Sequence, residues 1–187
     1  MSDPLGDSAD PAVPTVALRP STPEDRPFLA RVYASTREAE LAQTPFTDEE
    51  KAAFVEQQFT AQSLHYEAHY FDTTFDVVEV DGEPAGRLIV GRWTAEIRIV
   101  DIALLPPFRG RGVGTRVLAP VLAEADARGV PTTIHVEVFN PARRLYERLG
   151  FAVVAEAEQV YLKLERPVGG PSGGPEPTPA DQPKMAS

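Results

Sequence analysis

The sequence predicts an α+β fold of the α/β sandwich type, with a mixed central sheet flanked by helices. Strand-like apolar runs are interspersed with longer segments whose apolar residues recur every three or four positions, which is typical of amphipathic helices. Two such helical segments precede the main group of strands, so the order is not a plain alternation of strands and helices. A chain of 187 residues is long enough for one ordinary domain with a substantial core.

The first third of the chain predicts one short strand and two helices. Thr22 followed by Pro23 is typical of a helix start, because the hydroxyl can cap free N–H groups and proline suits the first helical position. Thr47 and Glu50 form a capping box, which predicts the start of a second helix. The predicted elements are a strand at 16–19, a helix from residue 22 to about residue 41, and a helix from residue 47 to between residues 64 and 70.

A hairpin and a further strand are predicted next. Two apolar runs flank the turn Asp81-Gly82-Glu83-Pro84, and this pattern favours an antiparallel hairpin. Pro106 and Pro107 end the following strand, since neither residue can donate a hydrogen bond to a neighbouring strand. These strands are predicted at 75–80, 85–90 and 96–105.

The second half of the chain predicts helices and strands in turn. A helix at 114–128 carries its apolar residues on one side, and Gly129 is its C-terminal stop. Pro120 lies inside this helix and removes one main-chain hydrogen bond, so we expect a kink or a local loosening that costs ~3 kcal/mol. The remaining predicted elements are a strand at 132–138, a short helix at 141–148 and the last strands between residues 151 and 164.

Composition sets the domain limits and the class of partner. Residues 15–166 are predicted to form the domain, and the segments 1–14 and 167–187 to be disordered, since the second is rich in proline and glycine. A net charge of -10 argues against nucleic acid or an anionic membrane as a partner. The chain has no cysteine, which excludes disulfides, and we predict no metal site. Without a long apolar run or a secretory signal, a cytoplasmic protein is expected.

The segment Arg109-Gly110-Arg111-Gly112-Val113-Gly114 is the strongest functional signal. It follows a strand-like run and opens a helix-like one, so its main-chain N–H groups and the positive end of the helix dipole can converge on a phosphate. The pattern fits neither G-x-x-x-x-G-K-[ST] nor G-x-G-x-x-G, but it does fit Arg-x-x-Gly-x-Gly. The sequence therefore predicts a phosphorylated ligand.

This loop resembles the pyrophosphate loop of the GNAT acyltransferase superfamily. In that family the loop follows a strand that ends in an Ile-Ala-Val-like tripeptide, here Ile102-Ala103-Leu104. The segment 140–151 is similar to a second family motif, Asn-x-x-Ala-x-x-Leu/Phe-Tyr-x-x-x-Gly-Phe, but is one residue shorter between Asn and Ala. The resemblance is close over about residues 74–165 and holds in outline over 15–70. It implies a mostly antiparallel sheet with a parallel pair that splays apart at the cofactor site.

The resemblance also implies an activity, an N-acetyltransferase that moves an acetyl group from acetyl-CoA to a primary amine. The amine would attack directly in a ternary complex, without an acyl-enzyme. Tyr146 would be the general acid, with aromatic packing as the alternative, and Asn140 would bind the pantetheine arm or cap the helix after it. The acceptor class and a homodimer stay open. The residues expected at the cofactor are Ile102, Ala103, Leu104, Arg109, Gly110, Arg111, Gly112, Val113, Gly114, Thr115, Asn140 and Tyr146.

The general base has several candidates. An ammonium acceptor must lose a proton before it attacks, so a carboxylate or an imidazole is needed near the thioester. Glu137 is the first candidate and Glu96 the second, followed by His135 and Asp101, and an ion pair or a solvated surface is the alternative for Glu96 and Asp101.

Arg98 stands where the family often has a glutamate, and this favours a competing hypothesis. The chain would then be an acyl-CoA-binding module that has lost catalysis and acts through interaction. A third hypothesis is a structural interaction domain that uses the helices of residues 22–70. The residues expected to shape an acceptor pocket, many of which packing explains equally well, are Tyr33, Arg37, Glu38, Gln57, Gln58, Gln62, His65, Tyr66 and His69.

Overall fold

The computed structural model describes residues 14–157 and 160–171, and this part of the chain contains a seven-stranded sheet. The strands are β1 (Val16–Pro20), β2 (Thr73–Val80), β3 (Glu83–Arg92), β4 (Ile97–Leu104), β5 (Thr132–Glu137), β6 (Ala152–Ala157) and β7 (Tyr161–Arg166). The helices are α1 (Arg26–Leu41), α2 (Asp48–His69), α3 (Val113–Arg128) and α4 (Arg143–Arg148), with short 3-10 turns at Pro23–Asp25 and Pro106–Phe108.

The sheet is mixed and has the order β1-β2-β3-β4-β5-β7-β6. β4 and β5 are parallel, and the other neighbouring strands are antiparallel. Successive residues of a strand point to opposite faces, and on β2 Val78 joins the core under α3 whereas Val77 packs against Phe28 and Val32 of α1. The sheet therefore lies between α1 and α2 on one face and α3 on the other. The predicted fold class is confirmed.

Local signals set most of the helix ends as predicted. At α2 the Thr47 N–H donates to the Glu50 carboxylate at 2.7 Å and the Glu50 N–H donates to the Thr47 hydroxyl at 3.2 Å, which completes the capping box. Gly129 ends α3 in the left-handed conformation. Pro120 lies on the exposed side of α3, and the helix continues through it without a break.

The β2–β3 hairpin is tighter than the sequence predicts. Asp81 and Gly82 both have positive φ, at 52° and 81°, which is the backbone of a two-residue hairpin turn. Glu83 and Pro84 consequently belong to β3 and not to the turn.

β4 and β5 pair along only a short part of their length. Their parallel ladder runs from Ile97 opposite Thr132 to Ile99 opposite Ile134, although both strands continue beyond it. On the other side of β4, Ile89 pairs with Asp101 and Val90 with Ile99, so Val100 is an extra residue. Such a bulge bends and twists its strand. The sheet therefore opens between the C-terminal ends of β4 and β5.

Residues 166–171, at the end of β7 and just after it, are held against the domain. Arg166 is 1% exposed, and its guanidinium donates to both Asp126 oxygens at 2.8 and 3.0 Å and to the Pro171 carbonyl at 3.1 Å. The first residues of the predicted tail, 167–171, thus fold back on this pair. Residues 1–13 and 172–187, which carry the rest of the predicted disorder, lie outside the described residues. No helix of the described ranges has the length and apolar character to cross a bilayer.

Candidate active site

The glycine-rich loop turns through two left-handed residues before α3 begins. Gly110 has φ 71° and Gly112, the residue before the helix, has φ 75°. A Cβ at either position would meet no heavy atom within 4 Å beyond the adjoining residues, so the backbone conformation and not space calls for glycine. At Gly114 space does matter, because a Cβ would lie 3.0 Å from Cδ2 of Leu145. The loop is therefore a turn whose backbone requires glycine at positions 110 and 112 and which leads directly into α3.

The loop presents a set of unused main-chain donors. Within residues 14–157 and 160–171, no atom accepts a hydrogen bond from the N–H groups of residues 110–115. The first helical bond of α3 runs from the Arg116 N–H to the Gly112 carbonyl at 3.2 Å. Free N–H groups at a helix start, together with the helix dipole, attract anions. This arrangement can bind a diphosphate.

The three arginines around the loop make different contacts. Arg109 folds back, and its Nε donates to the Leu104 carbonyl at 2.6 Å while its Nη2 donates to the Ser35 hydroxyl at 3.0 Å, so it ties the loop to β4 and α1. The Arg116 guanidinium bonds the Pro14 carbonyl. Arg111 lines a cavity of about 310 Å³ between the loop and the β2–β3 turn, and none of the described residues pairs with it. Arg111 is thus the loop cation that can still take a ligand.

The open edge of β4 offers main-chain groups to a ligand. The Leu105 N–H donates to the Ala85 carbonyl on the β3 side at 2.8 Å. Since main-chain groups alternate along a strand, those of Leu104 and Ile102 face the opposite, open edge. The ladder with β5 has already ended at Ile99. The predicted tripeptide therefore lies where the sheet splays.

Tyr146 and Asn140 lie on the other side of this opening, around α4. Tyr146 is 3% exposed and packs edge-on against Phe151, with ring centroids 5.9 Å apart. Burial raises the pKa of its hydroxyl well above the usual value, and the nearby charge of Asp101 raises it further. The side-chain oxygen of Asn140 accepts the Ala142 N–H at 2.8 Å. This bond forms an Asx turn before the helix, whereas the N-cap of α4 is Ala142 and has no side-chain cap bond, so the capping role predicted as one alternative for Asn140 is wrong. Among the described residues none accepts a hydrogen bond from the Asn140 amide nitrogen.

Glu96, the second candidate base, is surrounded by partners. Its carboxylate pairs with Arg98, accepts the Thr133 hydroxyl at 3.0 Å, and lies 3.8 Å from the Lys163 ammonium. The ion pair predicted as the alternative for Glu96 is therefore present. His135 lies by this cluster, and its pKa is lowered by burial and then by the charges of Arg98 and Lys163. Its imidazole is accordingly neutral at neutral pH.

Glu137, the first candidate, ends β5 with an exposed side chain. It pairs in register with Tyr161 of β7, and its main-chain carbonyl accepts the Asn140 N–H at 2.9 Å. No described cation forms an ion pair with it. Its carboxylate is therefore solvated at the end of the strand.

Asp101, the last candidate base, does form the kind of ion pair predicted as its alternative, and its partner Arg87 is the residue that the sequence analysis missed. The Arg87 side chain is 7% exposed, the Asp101 side chain 22%, and Nε of Arg87 faces Oδ2 of Asp101. Outside this pair neither atom has a hydrogen-bond partner among the described residues. Nη2 of Arg87 donates to the Gln62 side chain at 2.9 Å, and its guanidinium carbon lies 5.9 Å from the Tyr33 ring centroid. A charged residue inside the apolar run of β3 was the available signal.

The predicted acceptor residues are only partly brought together. Three of them, Gln62, Tyr33 and Tyr66, converge around Arg87 and Asp101. Burial raises the pKa of Tyr66 well above its usual value, and the charge of Asp101 raises this pKa further. The others lie further along α1 and α2. His65 and His69 stack on each other at 4.4 Å, and Arg37 pairs with Glu40 at 3.0 Å. Exposed side chains are found at Glu38, Gln57 and Gln58. The described residues contain no cluster of three His, Asp or Glu side chains able to hold a metal ion.

The architecture is that of known acetyltransferases. The crystal structure of PaiA N-acetyltransferase from Thermoplasma acidophilum, in complex with coenzyme A, superposes with a TM-score of 0.63 and 15% identity over 82% of this chain and 99% of that one. The chain belongs to the acetyltransferase (GNAT) family, which matches residues 33–151. The resemblance inferred from the loop and from the Asn140–Phe151 motif is confirmed.

Two curated acetyltransferases are similar to parts of this sequence. The [ribosomal protein bS18]-alanine N-acetyltransferase of Haemophilus influenzae is 35% identical over 82 residues, which are 43% of this chain and 51% of that protein. Streptothricin acetyltransferase of Streptomyces lavendulae is 33% identical over 93 residues, 47% of this chain and 49% of that protein. The chain thus spans about half the length of these relatives.

Proposed function

We propose that this chain transfers an acetyl group from acetyl-CoA to a primary amine by direct attack in a ternary complex. The observation that carries the proposal is the row of unused N–H groups at residues 110–115, beside a sheet that opens at its parallel pair. Family membership supports acetyl transfer, and the PaiA structure holds coenzyme A in the same fold. Coenzyme A has the diphosphate that such a loop suits.

The cofactor would lie along the opening between β4 and β5. Its diphosphate would accept from the loop amides of residues 110–115, with Arg111 as the nearby free cation. The pantetheine arm would run past the open edge of β4 and bond the main chain of Ile102 and Leu104. The amide nitrogen of Asn140, which the turn bond to Ala142 does not use, would donate to the same arm.

Catalysis would depend on main-chain polarity more than on side-chain identity at β4. Attack of the amine on the acetyl carbon places negative charge on the carbonyl oxygen, and a main-chain N–H of β4 aimed at that oxygen stabilises it. Preorganised donors of this kind give the largest contribution in acyl transfer. The bulge at Val100 supports this role, because it releases the main chain beyond it from β5.

Tyr146 is proposed to assist the departing thiolate. Its raised pKa keeps the hydroxyl protonated at any physiological pH, so it is always a donor. A thiolate is a weaker base than a buried tyrosinate, and complete proton transfer from Tyr146 would therefore run uphill. The hydroxyl acts best by donating a hydrogen bond to the sulfur as the C–S bond breaks, and any transferred proton is replaced at once.

The acceptor is proposed only as a primary amine. The two curated relatives are named for different acceptors, a ribosomal protein alanine and the antibiotic streptothricin, and family membership alone does not choose between such classes. Of the predicted bases, Glu137 is the one whose carboxylate is free of cations in the described structure.

Two measurements test the proposal. Calorimetry should show coenzyme A binding to the full chain, and a turnover screen over small amines, an aminoglycoside, an N-terminal alanine peptide and a lysine peptide should find an acetylated acceptor. Absence of coenzyme A binding would disprove the proposal. Binding without any turnover would instead favour the non-catalytic acyl-CoA module, for which the arginine at position 98 is the supporting observation.

Tyr146→Phe tests the proposed donor. We expect kcat to fall by about 10²–10⁴-fold, the range for a lost acid–base group, with coenzyme A affinity unchanged. Tyr70→Phe is the matched control, because Tyr70 stacks on Trp93 with ring centroids 6.1 Å apart, at the end of α2. Equal losses of kcat and of coenzyme A affinity in Tyr146→Phe would show that Tyr146 only packs.

A further inference from the structure

The Arg87–Asp101 pair is costly to bury and is poorly explained by stability. Both charges lose hydration inside the domain, and a buried ion pair often contributes no more than an apolar pair of equal volume. The protein nevertheless fixes Arg87 with Gln62 at 2.9 Å and covers it with the Tyr33 ring. Such an arrangement holds a charge in a set position, which is a common requirement of active sites.

Asp101 lies at the opening of the sheet, on the face opposite the helix that follows the loop. It directly follows the bulged Val100 and directly precedes Ile102, whose main chain faces the open edge. Arg87 joins it to Gln62 of α2, and Ala103, two residues on, packs with Phe28 and Val32 of α1. The Asp101 carboxylate therefore reaches the cleft from the α1 and α2 face, while the phosphate loop opens at the start of α3.

We propose that Asp101 binds and deprotonates the acceptor's ammonium group, and that Arg87 is the positioning residue that orients Asp101. This inference rests on the acetyl transfer proposed above. One N–H bond of the ammonium breaks, and its proton goes to the carboxylate oxygen that Arg87 does not hold. The freed lone pair forms the N–C bond with the acetyl carbon. As the C–S bond breaks, the nitrogen releases its second proton to solvent and the Tyr146 hydroxyl donates a hydrogen bond to the leaving thiolate. The thiolate then takes a proton from solvent, and Asp101 returns its own proton to solvent, so each amide formed releases a net proton.

Asp101 is better placed for this role than the other carboxylates. Glu96 has both carboxylate oxygens engaged, Oε1 by Arg98 and Oε2 by Thr133 and Lys163, whereas Arg87 pairs with Oδ2 of Asp101 alone. Glu137 is solvated at the end of β5, where water competes with an ammonium for the carboxylate. Asp101 combines partial burial with a fixed orientation, and both strengthen its attraction for a cation that enters the cleft.

The charged and titratable groups that face Asp101 come from three elements. They are Arg87 of β3, Tyr66 of α2 and Tyr146 of α4. Both tyrosines are neutral at physiological pH because burial raises their pKa, so Arg87 is the charged group among these three.

The kinetic test measures kcat/KM against pH for the amine that the turnover screen identifies. It follows the fall of kcat/KM toward acidic pH, which is the acid limb of the profile. Asp101→Asn should lower kcat by about 10²–10⁴-fold, remove the acid limb and leave coenzyme A affinity unchanged. Arg87→Gln should lower kcat/KM for the amine while coenzyme A affinity stays unchanged, and Asp101→Glu should restore part of the rate that Asp101→Asn loses. Arg92→Gln is the matched control, because Arg92 lies on the same strand but pairs with Glu124 of α3 at 2.9 Å, and it should leave the limb in place. Loss of the limb in Glu137→Gln but not in Asp101→Asn would overturn the proposal.

A binding test decides the question without turnover. The probes are n-butylamine and n-butanol, which have similar shapes and differ in charge, and ligand-observed NMR on the full chain measures both affinities. The native protein and Glu137→Gln should prefer the amine by about tenfold or more, and Asp101→Asn should lose that preference. No preference in the native protein, or an unchanged preference in Asp101→Asn, would overturn the proposal. If no amine is acetylated, acetyl transfer is disproved, while this comparison still decides whether Asp101 binds an ammonium group.

Discussion

The left-handed residue at the head of α3 gives a sharp test of the phosphate loop. Gly112 has φ 75°, and a Cβ there would meet no neighbouring heavy atom within 4 Å. Gly112→Ala therefore adds no clash and changes only the backbone preference. Any effect on coenzyme A binding must then come from the conformation that the loop needs when it holds the ligand.

The size of the effect follows from the backbone. An L-residue in the left-handed region costs about 1–2 kcal/mol. For folding, replacing glycine also returns about 0.4–1 kcal/mol by restricting the unfolded chain, so the net loss of stability is about 1 kcal/mol, but the unfolded chain does not enter a Kd. The loop is exposed and its N–H groups are unused, so alanine at position 112 can relax when no ligand is bound. The whole cost then falls on binding, and the coenzyme A Kd should rise about five- to thirtyfold.

Gly129→Ala is the matched control at the other end of the same helix. Gly129 has φ 68° and equally free space, but its N–H donates to the Asp126 carbonyl at 3.1 Å and Val130 donates to Ala125 at 3.1 Å, so this turn cannot relax. Its cost should appear as a fall in Tm of about 2–4 °C, with an unchanged Kd. Calorimetry and thermal unfolding measure both variants. An unchanged Kd in Gly112→Ala, or a weakened one in Gly129→Ala, would refute the reasoning.

Two further outcomes concern stability. Arg166 and the Gly169 N–H lower the pKa of Asp126, so this carboxylate stabilises the fold above its ordinary pKa and that contribution is lost as the pH falls through the lowered value. Asp126→Asn should accordingly reduce Tm at pH 7, and the difference from the native protein should shrink as Tm is followed down to pH 3. A constant difference would contradict the assignment. Pro120→Ala should raise the free energy of unfolding by up to about 3 kcal/mol, because it restores the hydrogen bond to the Arg116 carbonyl on the exposed side of the helix. Chemical denaturation measures this gain.

Signals confined to a few neighbouring residues were readable from the sequence. The capping box at Thr47 and Glu50, the stop at Gly129 and the turn before α3 each depend on contacts within about one helical turn, so composition and spacing suffice to predict them. The phosphate loop belongs to this group, since its donors are main-chain groups set by the glycines.

The acceptor side depends on contacts between distant segments. Arg87 and Gln62 are 25 residues apart, and Arg109 reaches Ser35 across 74 residues. No local pattern specifies such pairs, because many surface residues on α2 could have met β3 equally well. Ranking carboxylates by strand position therefore placed Asp101 last, although it is the one that a buried guanidinium orients.

The bulge at Val100 directly precedes both the proposed base, Asp101, and the main chain proposed to contact the cofactor. The apolar pattern of the sequence indicates where it lies. On β4 the apolar positions are Ile97 and Ile99 before the bulge and Ile102 and Leu104 after it, so their alternation shifts by one residue. A regular strand would have turned Asp101 into the core beneath α3, where an unpaired carboxylate is costly. The extra residue instead sends Asp101 to the α1 and α2 face and turns the main chain of Ile102 and Leu104 to the open edge. The bulge thus takes up Val100 and keeps both the proposed cofactor contacts and the proposed base on the sides of the strand that they need.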